Sequence, residues 1–390
     1  MTAPALTEPR PSHHWKDPMA RLTTRFGSSH APDPAVAVAE IRAAVAQPGM
    51  RAMLFFCSPA YDLVALGREL RAAFDCEVIG CTSAGQIGPE GYQRGGITAV
   101  SLVSQELTVH SHLIAPLSEC RPRATAVAAQ VRSRLASAPE GRGACGLLLV
   151  DGLALAEEAL AATLYQSLGD VPLVGGSAGD DLTFERTAVY WEGTFLSDAA
   201  VLSILETTLP FATFKLANFR PTEKQLVTTA ADPSARVVLE IDGLPAGEGY
   251  AAVLGLSVED LDANVFSRHP LMLRIGSDYY LRSIQKLNPD GSLTFYCAID
   301  EGLVLTVGEG LDPLAALEEG FRGAARKVGK PALVIGCDCI LRRLSFEQGG
   351  VDREVGAFLS AHGVIGFSTY GEQFDSVHVN QTFTGIVLGG

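Results

Sequence analysis

The sequence predicts a mixed α/β (α+β) protein of two domains, each built on a mixed β-sheet flanked by helices. Three observations predict it. Apolar runs of strand length alternate with segments of helical periodicity along nearly the whole chain. Four of the strands end alike, in glycine and small polar residues: Val78 to Gly85, Leu173 to Asp180, Val334 to Cys339 and Val364 to Glu372. Strand ends of this kind are where an α/β sheet offers backbone groups to a ligand. Finally, 390 residues, 47% hydrophobic and 19% charged, supply enough apolar material for two or three cored domains.

Residues 1–30 carry Pro, His and Arg without periodicity and read as a flexible tail, with at most one short strand at its end. His13 and His14 are adjacent and cannot close a metal site alone. Asp33-Pro34 then opens a helix, Asp as N-cap and Pro at the first helical position. Ala52 to Cys57 (AMLFFC) is a fully buried strand. Leu63, Leu66, Leu70 and Phe74 repeat at helical spacing, and Glu77 to Cys81 is the next strand. This order implies a parallel pair.

Ile97–Val103 and Leu107–Ile114 are expected to form a hairpin, with His110 and His112 on one face of the second strand. Helix from Ala124, the strand Gly146–Val150, helix to Leu168 and the strand Val171–Val174 follow, then strands at Thr187–Trp191 and Ala199–Leu205. A domain boundary is placed at Phe219 to Lys224, giving domains of 31–222 and 223–390. The second half carries strands around residues 226–241, 271–297 and 303–307, with a loop around Asn264. An amphipathic helix from Asp312 to Val328, the strand Pro331–Gly336, the helix Val351–Leu359 and a final strand-turn-strand complete it.

The net charge of −14 repels nucleic-acid phosphates and anionic membrane surfaces, so neither is an expected partner. No apolar run has the length of a membrane span, and the first residues show no secretory pattern, so a cytoplasmic protein is expected. The eight Cys sit mainly in apolar strands and read as reduced, buried thiols.

Taken together, IGCTSAGQIGPEGY, LLLVDGL, PLVGGSAGDD, VVLEIDGLPA, ALVIGCDCILRR, GFSTYGE and HVNQT, in this order, resemble the FIST family of intracellular sensory proteins over nearly the whole chain. The resemblance implies an N- and a C-terminal FIST domain, ligand sensing without catalysis, and a separate signalling partner such as a histidine kinase or a cyclic-di-GMP enzyme. Its CSPAYDL and IGPEGY segments resemble the nitric-oxide-sensing haem branch, which implies haem b as cofactor. The family's His-Asn-Gln-Thr order is interrupted here by Val379, which in a strand puts His378 and Asn380 on one face.

Candidate ligand-binding residues are those of the recurring strand ends: Cys81, Thr82, Ser83, Gly175, Gly176, Ser177, Asp180, Asp181, Arg342, Tyr370, Gly371, Glu372 and Asn380. Glycine-turn amides and arginine suit a carboxylate and the acids suit an ammonium, so an amino acid or another small polar metabolite is the alternative ligand. For haem, His378 and His269 are the candidate axial ligands. No Walker A or H-E-x-x-H motif occurs, and no G-x-G-x-x-G follows a strand. The remaining enzyme reading is a cysteine-dependent one through Cys81 or Cys339, the latter followed by Arg342 and Arg343.

Overall fold

The computed structural model describes residues 21–390, so the His13–His14 pair lies outside the described residues. The pairing of its strands discloses one unit used three times: edge strand, helix, strand, helix, strand, hairpin, strand. The first repeat is β1 (Thr23–Ser29), α1 (Pro34–Val45), β2 (Ala52–Cys57), α2 (Leu63–Ala73), β3 (Glu77–Thr82), the hairpin β4 (Gln86–Gly88) and β5 (Gly91–Gln93), and β6 (Ile97–Val103). The second is β7 (Leu107–Ile114), α3 (Cys120–Ala136), β8 (Gly143–Val150), α4 (Glu157–Leu168), β9 (Leu173–Ser177), β10 (Val189–Trp191), β11 (Thr194–Leu196) and β12 (Ala200–Thr207).

The third repeat opens with β13 (Phe211–Ala217) and is then interrupted by an insertion. That insertion holds β14 (Phe219–Asp232), β15 (Val237–Ile241), β16 (Leu244–Pro245), α5 (Ala246–Leu254), α6 (Ala263–Arg268), β17 (Leu271–Ile275), β18 (Asp278–Arg282), β19 (Ile284–Leu287), β20 (Leu293–Phe295) and β21 (Val304–Gly310). The repeat resumes with α7 (Pro313–Val328), β22 (Pro331–Cys339), α8 (Ile340–Gly349), α9 (Asp352–Ala361), β23 (Val364–Thr369), β24 (Glu372–Phe374), β25 (Val377–Val379) and β26 (Thr382–Gly389).

Each repeat builds a six-stranded sheet of the same order, but no repeat keeps its own hairpin. The sheets run β1-β6-β2-β3-β10-β11, β7-β12-β8-β9-β24-β25 and β13-β26-β22-β23-β4-β5. The first repeat gives its hairpin to the third, the second to the first, and the third to the second. The inserted β14–β21 form a separate sheet of eight strands.

Burial follows from this arrangement. The three sheets share an inner core to which Leu54, Phe56, Leu147, Leu149, Ile335 and Phe367 contribute, with the Phe56 and Phe367 rings stacked at 4.4 Å. Their outer faces are covered by α1 and α2, by α3 and α4, and by α7 to α9. With both faces covered, β2 is buried at every position, hence the unbroken apolar run AMLFFC. The inserted sheet has its own core with α5 and α6.

Several expectations change. The short strand expected at the end of the tail is the edge strand β1, and it belongs to the first sheet, paired along its length with β6. Ile97–Val103 and Leu107–Ile114 are not a hairpin: β6 joins the first sheet beside β2, while β7 joins the second beside β12. Adjacent strands crossing between sheets look like a hairpin locally, because pairing partners are not encoded by proximity. Phe219 to Lys224 begins a long strand, β14, whose register shifts between Pro221 and Gln225. The Asn264 segment is helical, capped by Asp262, whose carboxylate accepts from Val265 N at 2.8 Å.

Candidate functional site

The recurring strand ends meet around the axis relating the three repeats. Gly179 N donates to Thr82 O (3.1 Å), Tyr370 N to Ser177 O (3.1 Å) and Ala84 N to Ser368 O (3.0 Å). These three bonds close a ring and make Thr82, Ser177 and Ser368 equivalent. The structure thus brings Cys81, Thr82, Ser83, Gly175, Gly176 and Ser177 together, but as a packed, fully buried junction rather than as a pocket lining. Ser83 Oγ donates to Cys57 O (3.0 Å). A side chain at Gly176 would press on Thr369, Phe367 and Cys337.

The same equivalence explains Glu372. In the first repeat the Gln86 amide lies 2.8 Å from Ser83 Oγ. In the third, Glu372 occupies the matching place and accepts from Thr369 Oγ1, while Thr382 Oγ1 donates to its other oxygen at 2.6 Å. The second repeat puts apolar Val189 and Ala178 there. Glu372 is 0% exposed, and burial pushes its carboxyl up to about 8, against the opposing bonds from Thr369 and Thr382. The acid is therefore held protonated at neutral pH and stands in for an amide.

An eight-residue insertion, Asp180 to Thr187, distinguishes the second repeat, since Ala84-Gly85 and Tyr370-Gly371 make the equivalent step directly. Asp180 organises it: its carboxylate accepts from Phe184 N (2.9 Å), Glu185 N (2.7 Å), Arg186 N (2.8 Å) and the Tyr370 hydroxyl. Burial opposes ionisation, but the Tyr370 hydroxyl and these amides outweigh it and hold Asp180 below the usual carboxylate range. Leu182 N donates to Tyr370 Oη (2.8 Å), and the Phe184 ring stacks on Tyr370 at 4.7 Å. Asp181 turns the other way, accepting from Ser58 Oγ at 3.2 Å.

Beside this insertion opens a cavity of about 440 Å³. Its walls come from three sources: Gly152, Leu153, Leu182 and Phe184 from the second repeat; Arg236, Gln285, Phe295 and Tyr296 from the inserted sheet; Cys339, Leu341, Leu344 and Tyr370 from the third repeat. The lining is mainly apolar and aromatic, as in a pocket for a small organic molecule. One charged wall breaks it. Arg236 Nη2 lies 3.1 Å from Glu157 and 2.9 Å from Glu158, and Arg236 Nη1 donates to Tyr296 O at 2.8 Å.

Of the residues expected from sequence, Tyr370 therefore lines the cavity, and Asp180 shapes its wall. Arg342 does not reach it: the side chain is buried between Asp338 Oδ1 (2.6 Å) and Asn218 Oδ1 (2.8 Å). Gly371 lies against the His378 ring and Asn380. Asn380 is buried with neither side-chain atom bonded. Arg236, Glu157, Phe184 and Tyr296 were not anticipated. The signal that was available is Phe184 itself, an aromatic inside the polar turn DDLTFERT.

A haem with a histidine axial ligand does not fit these residues as they stand. His378 is 2% exposed; its Nδ1 faces Gln373 Nε2 at 3.3 Å, and its Nε2 side abuts Gly371, where even a methyl group would clash with the ring. His269 borders a recess of about 210 Å³ shared with Thr222, Lys224, Leu254 and Leu256. Neither histidine lines the apolar cavity. The thiols are equally constrained, since burial pushes Cys81 and Cys339 well above the ordinary thiol range and disfavours a thiolate.

Comparison with known proteins agrees with this architecture. The FIST N domain matches residues 51–244 and the FIST C domain residues 246–375. The chain belongs to the FIST family. FIST domains are sensory, ligand-binding domains of signalling proteins, and that is the class of this chain. An uncharacterised protein of Methanocaldococcus jannaschii is 24% identical over 257 residues, covering 56% of this chain and 49% of that protein. The chain thus spans about half the length of the curated relative it matches. The two FIST domain matches meet at residues 244–246, inside the inserted sheet. No helix among the described residues is long and apolar enough to cross a membrane.

Proposed function

We propose that this FIST protein is a non-enzymatic, cytoplasmic sensor whose ligand occupies the cavity of about 440 Å³ between the second repeat, the third repeat and the inserted sheet. That cavity carries the reading, because it gathers an aromatic stack and a charged pair from three separate parts of the chain. The ligand is a compact, largely apolar molecule with a ring to lie against Phe184 and Tyr370 and a polar end to meet Arg236 and Glu157. An aromatic or aliphatic amino acid has this form, its carboxylate toward Arg236 and its ammonium toward Glu157. Binding changes the wall formed by the Asp180–Thr187 insertion, and a separate histidine kinase or cyclic-di-GMP enzyme reads the change.

A thermal-shift screen of aromatic acids, amines and amino acids on the intact chain tests this, since a bound ligand raises the melting temperature by mass action. Hits must be lost in Tyr370→Ala and in Arg236→Met, while Lys224→Ala, exposed on β14 and outside the cavity lining, keeps them. Hits that survive both cavity variants would place the ligand elsewhere. The competing ligand is haem b responding to nitric oxide. A Soret band in protein from haem-replete cells, moved by nitric oxide and lost in His378→Ala or His269→Ala, would replace the cavity reading.

A further inference from the structure

A second groove lies on the other side of the β24–β25 hairpin. It measures about 540 Å³ and is bounded by β13, α7, the β18 strand and Phe374. Lys215 projects into it from β13. Its Nζ sits 3.5 Å above the Tyr280 ring centroid and 5.9 Å from that of Phe374, and donates to Tyr279 O at 3.4 Å. An ammonium has three N–H donors, and a ring face plus one carbonyl occupy two of them. Among the described residues no carboxylate lies within ion-pairing distance of this nitrogen.

The surroundings favour a negative guest. Arg326 and Lys327 line the same groove, with the acids Asp278 in its lining and Asp375 beside Phe374, and Arg326 also holds Glu319 at 3.2 Å. Lys215, Arg326 and Lys327 thus gather three cations at one groove of a chain of net charge −14. The α7 wall is open: at Gly323 an added methyl group would meet nothing nearer than Arg326 Nη2 at 3.9 Å. Burial lowers the pKa of Lys215, with Asp278 and Asp375 opposing, so the amine is short of solvation that an anion would restore.

We propose that this groove is a second small-molecule site, for an organic anion whose carboxylate or phosphate head is held by Lys215 and whose flat or aliphatic body lies along the open wall of α7. The site is separate from the cavity at Tyr370 and stands or falls independently of it.

The chain has six lysines, which makes the test direct. The intact protein is pulse-acetylated, and each lysine is followed by mass spectrometry with phenyl phosphate, benzoate or uncharged benzyl alcohol present. Phenyl phosphate or benzoate is expected to slow acetylation of Lys215 about fivefold, leaving Lys224 and Lys286 unchanged, by simple occupancy. The anion that protects more strongly identifies the head group. The thermal shift caused by that anion disappears in Lys215→Met and is partly kept in Lys215→Arg. No selective protection of Lys215, equal protection by benzyl alcohol, or an undiminished shift in Lys215→Met would each overturn the proposal.

Discussion

Replacing Glu372 by Gln should remove a specific pH dependence from the stability of this protein. The native carboxyl titrates at about 8 against an ordinary value of 4.5, with burial as the cause. Below the ordinary value both folded and unfolded chains are protonated there, and the group contributes no slope. Between roughly 4.5 and 8 the folded state holds a proton that the unfolded state has released, so stability falls as pH rises, by about 1.4 kcal/mol per pH unit. The whole interval corresponds to at most about 5 kcal/mol. Above the folded pKa the slope ends. Gln cannot titrate, and the Gln86–Ser83 pair shows that an amide suits this place in the repeat. Denaturant unfolding of both proteins at several pH values between 5 and 8 measures the difference directly. The variant should gain on the native protein by about 2–4 kcal/mol across that range, and subtraction cancels other groups, such as His110, which burial lowers to about 4. A difference that stays constant with pH would refute the claim that Glu372 is held neutral.

Other consequences are equally open to measurement. Arg236→Met strands Glu157 and Glu158 in a largely buried wall, and should cost about 3 kcal/mol of stability by denaturant unfolding. The double variant with Glu157→Gln should recover part of that loss. Tyr370→Phe removes the hydroxyl that bonds Asp180 and accepts from Leu182 N, and should speed proteolysis within residues 180–187 several-fold while leaving the melting temperature within a few degrees. Alkylation of Cys81 and Cys339 under native conditions should be far slower than in denaturant, because both are buried and held as thiols; fast labelling of either at neutral pH would revive a cysteine-dependent activity.

The sequence made individual elements plain where the signal is local. Asp33 caps its helix as expected, accepting from Val36 N at 3.0 Å, and Asp312, where the amphipathic helix was expected to begin, accepts from Ala315 N at 2.7 Å. The shared ending of Val78–Gly85 and Val364–Gly371 was visible too, and marks equivalent turns. Its meaning was not visible, because a strand's text does not name its partner, and every hairpin here pairs outside its own repeat. Helix α8 was hidden for a different reason: the buried Arg342 and Arg343 interrupt its short apolar set of Ile340, Leu341, Leu344 and Phe346, which blurs the helical period. The cavity escaped for a third. Arg236 and Tyr370 are 134 positions apart, and only the packing of the inserted sheet on the repeats makes them neighbours.

The exchange of hairpins also bears on how the chain is made. The second sheet ends on β24 and β25, yet Glu372 follows Ser177 of β9 by 195 residues. At synthesis rates of about 5–20 residues per second, the edge of β9 waits roughly 10–40 s for its partner. During that interval a strand edge buried in the finished protein stands open, and an N-terminal fragment ending near residue 245 would keep it open permanently. The ring of repeats is complete only once the third repeat is made, so the cavity at Tyr370 and the last missing strands come together.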